Sequence, residues 1–312
     1  MSSSASQTEA PALESTPLSG AVPNWNFARS AAFRFGFAYW ILYSFPQPLI
    51  FIPYVDKLFG WYEPVWQKLI VWTGQHVFHL AKRIEFPPTG SGDTTSQFVR
   101  NFLVLVFAAV AMVVWSALDR RRGNYRQLHE WLRVYVRLVL GATLLSYGAA
   151  KVIKTQFPDP GLFRLLEPYG DSSPMGLLWT FMGYSRGYNW FSGAVEMVGG
   201  ALLFIPRLTA LGALVSAAAM TNVFILNMCY DVPVKIYSLN LLLMAVFLLL
   251  PELGRLTNVF VLNRTALPVV PPALFNRSSA KLALLAFQIA LLLWVTGDVI
   301  YQGWSGYKQY GD

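Results

Sequence analysis

Charge is scarce in this chain: Asp, Glu, Lys and Arg make up 13% of its 312 residues, against roughly 25% in soluble domains. So few polar side chains cannot coat a water-soluble particle. With 55% hydrophobic residues and a mean hydropathy of +0.43, the composition excludes an ordinary soluble enzyme. Cysteine is almost absent. Cys229 stands alone, which excludes an intrachain disulfide, a CxxC relay carried by this chain and any Cys/His metal cluster. No GxGxxG, GxxxxGKS, GxxxxGKT or HExxH string occurs, so phosphate-cradling loops and zinc-protease chemistry lack support. The net charge of +8 is spread along loops rather than interleaved with aromatics on one face. It reads as topology signal and lipid-headgroup contact, and it argues against nucleic acid as a partner.

What is abundant is apolar sequence in blocks of about 20 residues, the length that crosses a hydrocarbon core of roughly 30 Å as α-helix. Continuous apolar runs without alternation select helices over a barrel. The expected fold is an all-α polytopic transmembrane bundle with seven spans, near Ala31–Ile52, Asn101–Leu118, Val134–Ile153, Gly187–Pro206, Leu208–Met228, Pro233–Leu250 and Leu282–Gly303. Residues 1–24, rich in Ser, Ala, Pro and Thr, lack the basic start and apolar core of a cleavable signal and read as a disordered cytoplasmic tail. Residues 25–132 then carry two spans and an outer segment, 133–263 carry four spans, and 264–312 a linker, the last span and an outer tail.

Orientation follows from one short loop. Arg120, Arg121, Arg122, Arg126, Arg133 and Arg137 crowd the connection between the second and third spans, which the positive-inside rule assigns to the cytoplasm. The amino terminus is then inside and the carboxyl terminus outside. Trp179, Tyr184, Tyr188, Trp190, Tyr230, Tyr237, Tyr301 and Trp304 fall at the outer boundary, where aromatic belts form. Gly60–Arg83 has Trp66, Leu69, Ile70, Val77 and Leu80 at roughly helical spacing among polar residues, and reads as an amphipathic helix on the outer surface. Were it to cross the bilayer, the count would rise to eight and the amino terminus would move outside. His76 and His79 within it could share a helical face as metal ligands, but no matching pair stands elsewhere, and surface histidines are the simpler reading; no metal is expected.

Ionisable residues within spans carry the most information, because each costs about 2.5 to 3.5 kcal/mol at a helix centre. Glu196 stands mid-span, roughly 13 Å deep at 1.5 Å per residue. It requires a cationic or hydrogen-bonding partner, or it stays protonated. In the third span Thr143, Tyr147, Lys151 and Lys154 recur at helical spacing on one face. Asn222 and Asn227 end the fifth span, and Lys235 and Asn240 begin the sixth. Gly193, Glu196 and Gly200 share a face of the fourth, which lets a neighbouring helix come close beside the carboxylate. A buried cluster of Tyr147, Lys151, Glu196, Asn222 and Asn240 is expected as a ligand or proton site. The competing reading is structural: such groups often serve only as interhelical hydrogen bonds, contributing about 0.6 kcal/mol each.

The stretch from Arg133 to Asn263 resembles the DoxX-type four-helix membrane module. The resemblance rests on a helix ending in Tyr147-Gly-Ala-Ala-Lys151, an outer loop with Phe157 and Leu166, and Ser192-Gly-Ala-Val-Glu196-Met-Val-Gly-Gly200. A basic turn at Pro206-Arg207, the segment Asn222 to Asn227 and a span closing at Pro251-Glu252 complete it. The additional spans at both ends depart from a four-helix pattern. What the resemblance implies is association with membrane redox systems, through quinone-linked oxidoreductases or assemblies that counter oxidative stress, with Glu196 and Lys151 as the positions to carry over.

Three functions follow as expectations. One is an accessory, non-catalytic subunit of a membrane redox or respiratory assembly in the bacterial cytoplasmic membrane, whose outer-half site takes a quinone-like or proton-exchanging molecule. Membrane protein partners would then supply the redox chemistry. The second is a structural scaffold subunit of a larger complex. The third is a small-solute transporter, which an inverted repeat with broken midplane helices would favour, and neither is evident.

Overall fold

A computed structural model describes residues 24–51, 54–82, 84–86, 92–267, 274–275 and 277–310. The expected tail, apart from Asn24, lies outside the described residues, as do Arg83 and the side chain of Trp304. Among the described residues the secondary structure is entirely helical.

Helix α1, Phe27–Ser44, starts where the Asn26 side chain accepts a hydrogen bond from the Arg29 amide at 2.8 Å, an N-cap that satisfies a free helix donor. It stops before Pro46 and Pro48, short of the expected Ile52, because proline cannot continue the hydrogen-bond ladder and disfavours helical geometry in the residue before it. A short α2, Val55–Leu58, leads into α3, Tyr62–His76. At 15 residues, α3 spans roughly 22 Å, too short for a core of about 30 Å. It buries Tyr62, Trp66 and Ile70 against Val99, Leu103 and Val104 of α4, Thr95–Leu118. Thr94 caps α4, so this helix begins six residues before the expected Asn101.

Next comes α5, Arg126–Val152, followed by a roof segment with α6, Leu162–Leu166, and α7, Pro174–Tyr184. Then follow α8, Arg186–Phe204, α9, Thr209–Cys229, α10, Lys235–Leu249, the short α11, Leu253–Leu256, and α12, Ser278–Tyr310. Four stretches are long and apolar enough to cross a membrane: Thr95–Leu118, Pro206–Cys229, Lys235–Val261 and Ser278–Asp298. Helices α1, α5 and α8 occupy the other positions where spans are expected.

Contacts at the two ends fix the helix directions. At one end the Trp25 amide donates to the Gly123 carbonyl at 2.8 Å, Arg137 donates to Thr209 at 3.2 Å, and Arg133 lies 3.7 Å from Glu252. At the other, the Gly92 and Asp93 amides donate to the Pro233 carbonyl, and Trp190 Nε1 donates to the Val152 carbonyl at 3.1 Å. Helices α1, α4, α5, α8, α9 and α10 therefore alternate in direction. Helix α5 is the hub. Its stripe Leu132, Val136, Leu140 and Leu144 packs into the main core with Leu203, Met220, Met244 and Leu248, while Leu138, Ala142 and Leu145 on another face meet Leu291 and Val295 of α12.

Candidate functional site

Two glycine pairs with matching spacing bring α5 and α8 together. Gly141 and Gly148 on α5 are seven residues apart, as are Gly193 and Gly200 on α8, and two helical turns return each pair to one face. A Cβ added to Gly148 would lie 2.5 Å from the Gly193 carbonyl oxygen, and one added to Gly200 would lie 2.8 Å from that of Gly141. Only a hydrogen at these positions allows the two backbones to approach so closely.

Lys151 and Glu196 each stand three residues beyond a seam glycine. Side chains lean toward the amino terminus of their own helix. On antiparallel helices these two therefore lean back toward the crossing and toward each other. Lys151 Nζ lies 2.9 Å from Glu196 Oε1 and 2.6 Å from Oε2, with side-chain exposures of only 7% and 3%. The Lys151 ammonium also sits 6.0 Å from the centre of the Tyr147 ring, whose face attracts a cation.

The pair forms one wall of a cavity of about 430 Å³ that is apolar over most of its surface. Helices α8 and α9 are zipped in the halves next to the turn that joins them, where a Cβ on Gly199 would meet Ser216 Oγ at 2.9 Å and one on Gly212 would meet Leu202 Cβ at 3.0 Å. Away from that turn the facing residues are larger, Tyr188, Phe191 and Val195 against Asn222, Val223 and Leu226, and the cavity occupies the space between them. The segment after α5 supplies the roof. Phe157 stacks edge-on to Trp179 at 4.9 Å and packs with Leu178, Met182 and Val232. Lys154 fastens this roof through Asp159 and through the Gly183 carbonyl at 2.8 Å. The hydrogen bond from Lys154 holds the Asp159 carboxyl below its ordinary value.

Four of the five expected site residues meet at this cavity. Tyr147, Lys151, Glu196 and Asn222 all line it, and Tyr147 is 41% exposed because its ring faces cavity space. Asn240 does not join them. Its side chain accepts from the Tyr39 hydroxyl at 2.6 Å and donates to the Ile236 carbonyl at 2.9 Å, so both ends of the amide are satisfied in the α1–α10 interface. Lys154 also leaves the expected face, because at φ 64° it lies past the end of α5.

Several lining residues escaped sequence reasoning. Tyr237, expected in the outer aromatic belt, turns inward with Tyr147, ring centroids 5.9 Å apart. Gln156 lines the cavity with its side-chain oxygen buried and unpartnered. The spacing of Tyr237 with Leu241 and Met244 was the available signal for an inward face. Asn227, by contrast, was noted in the sequence and donates to Ser238 at 3.0 Å in the cavity wall.

Other polar features belong to the scaffold. His76 ends α3 and stacks on Trp72 at 5.0 Å, whereas His79 follows the helix with φ 49°, so the two do not share a helical face. No group of three metal-ligating side chains occurs among the described residues. Gln288 of α12 is buried within the chain. Gly183-Tyr-Ser185-Arg-Gly187 has the spacing of a nucleophile elbow, but an elbow joins a strand to a helix. Here Ser185 lies between α7 and α8 and caps α8, accepting from the Tyr188 amide at 3.2 Å.

Fold and site together define an all-helical membrane protein with a buried ion pair beside a largely apolar cavity. The chain is 33% identical over 124 residues to the protein named "Uncharacterized protein YwoB" of Bacillus subtilis (strain 168), a match covering 40% of this chain and 79% of that protein. It belongs to the same family as YwoB. No family model matches the chain, and no solved structure matches it.

Proposed function

We propose that the chain is a seven-span protein of the bacterial cytoplasmic membrane, amino terminus inside and carboxyl terminus outside, built around a DoxX-like module over residues 133–263. In this reading it is an accessory subunit of a membrane redox or respiratory assembly, and its outer-half cavity receives a quinone-like molecule. The observation that carries the proposal is the Lys151–Glu196 pair set in the wall of a largely apolar cavity. The residues present fit such a ligand: apolar walls for a ring and tail, and the unpartnered Gln156 oxygen to accept from a hydroxyl.

A quinone supplies two-electron, two-proton redox chemistry when bound, with the electrons exchanged by a partner protein. The chain's own residues bind, orient and move protons. Asn222 and Tyr147 orient the ring by hydrogen bonds. Glu196 holds or releases a proton at its carboxyl, and the Lys151 ammonium stabilises the charge left behind. The roof from Lys154 to Tyr184 limits access of water from the outer surface.

Glu196→Gln tests this, because it keeps shape and most hydrogen bonding while removing the charge. Purified protein carrying the substitution should retain its helix content and oligomeric state yet bind decylubiquinone at least several-fold more weakly. Unchanged binding accompanied by loss of assembly would favour the scaffold reading, for which the glycine seam between α5 and α8 is the supporting observation.

A further inference from the structure

A second cavity, of about 400 Å³, lies across the Tyr147–Tyr237 wall from the first. It sits where the end of α1 and the starts of α4 and α10 converge. Helix α4 presents Gln97, Arg100, Asn101 and Val104 to it, a spacing of three, four and seven that places all four on one helical face. The mouth is polar and the floor, with Val104, Val139 and Met244, is apolar.

Arg100 is held in position. Its guanidinium lies 5.0 Å from the Trp66 ring centre and 5.7 Å from that of Tyr62, and its side chain is 20% exposed. The carboxylate opposite is held much less firmly. Glu63 meets a single nitrogen, Nη1, at 3.0 and 3.2 Å, and its side chain is 57% exposed. A guanidinium can grip a carboxylate with two parallel hydrogen bonds, and this pair does not use that geometry. Ser44, at the buried edge of the cavity, has a hydroxyl with no partner.

We infer that this cavity binds an amphiphilic monocarboxylate, whose carboxylate displaces Glu63 from Arg100 and whose apolar part lies along Val104, Val139 and Met244. Glu63 keeps Arg100 paired while the site is empty. The ligand class follows from a fixed guanidinium at the mouth and an apolar floor behind it. This inference does not depend on a quinone occupying the first cavity.

Equilibrium dialysis of radiolabelled benzoate against the purified full chain in a non-ionic detergent tests it, with micelle partitioning subtracted from protein-free controls. Saturable binding is expected, competed by unlabelled benzoate and not by benzamide, which has the same ring and no charge. Arg100→Gln should weaken binding about tenfold or more, as expected for loss of a hydrogen-bonded charge partner. Glu63→Gln should strengthen it several-fold by removing the competing carboxylate, and it leaves Arg100 and its aromatic supports in place should Arg100→Gln misfold. Absence of saturable binding, equal competition by benzamide, or no gain in Glu63→Gln would each overturn the inference.

Discussion

The two ion pairs on either side of the Tyr147–Tyr237 wall share a chemistry and little else. Lys151–Glu196 is enclosed by α5 and α8, and both carboxylate oxygens meet the ammonium. Arg100–Glu63 joins α4 to α3 at the rim of a cavity, with one partner mostly in the open. Burial decides what each pair does. An enclosed pair cannot lose one member without stranding the other's charge, whereas an exposed pair can exchange its partner at little cost. The first is suited to hold charge in place, the second to give it up.

Breaking the enclosed pair should have the largest effect. Lys151→Met leaves a carboxylate without compensation in the bundle, and a loss of about 3–5 kcal/mol is expected. It would be read as a fall in unfolding midpoint in detergent. Adding Glu196→Leu should recover most of that loss, since a well-packed apolar replacement of both partners is often close to neutral. If Lys151→Met alone unfolds like the parent, the pair is not an enclosed one.

The glycine seam comes next. A Cβ on Gly193 would lie 2.9 Å from Val152 Cγ2 and 3.0 Å from Lys151 Cβ, besides its clash with the Gly148 carbonyl. Gly193→Val should therefore cost about 1–3 kcal/mol through overpacking and push the two charged side chains apart, weakening ligand binding at the first cavity more than at the second. Equal loss at both would point to general unfolding instead.

The exposed pair should matter least to stability. Glu63→Gln is expected to change it by about 1 kcal/mol or less, even while it alters carboxylate binding. A drop as large as that of Lys151→Met would erase the contrast between the pairs.

Acidification addresses the roof rather than either pair. The Lys154 hydrogen bond lowers the Asp159 carboxyl, and hydrogen bonds from Ser172 and Arg164 lower that of Glu167. A depressed folded value means the stabilisation is complete above the ordinary carboxylate range and fades as pH falls through the folded value. Protease cleavage within 155–172 should accelerate on that side only. Acceleration at alkaline pH instead would contradict this assignment.

Much of this was legible in the residues themselves. Apolar blocks located the long helices, and the cost of a mid-span carboxylate singled out Glu196, with Lys151 as a basic residue at helical spacing from Tyr147. Helix ends were less legible where local chemistry overrode hydropathy. Pro46 and Pro48 cut α1 short although the apolar run continues, and Thr94 starts α4 among polar residues. Asn240 and Tyr237 show a different limit. Both lie in the first turns of α10, and which one turns toward the cavity depends on α1 offering Tyr39 as a hydrogen-bond partner, a tertiary fact that one helix's periodicity does not contain. The second cavity is of the same kind, since it needs five separated segments brought together.

The glycine zip between α8 and α9 ends near Gly199, and beyond it Phe191 and Asn222 line the first cavity while Phe157 and Trp179 close the space overhead. In the proposed function, a molecule reaching the Lys151–Glu196 pair enters between α8 and α9, sideways from among the acyl chains. Its occupancy follows its mole fraction in the lipid phase rather than its aqueous level. Diluting the protein with extra phospholipid at a fixed total amount of ligand should empty the first cavity, with no chemical competitor added.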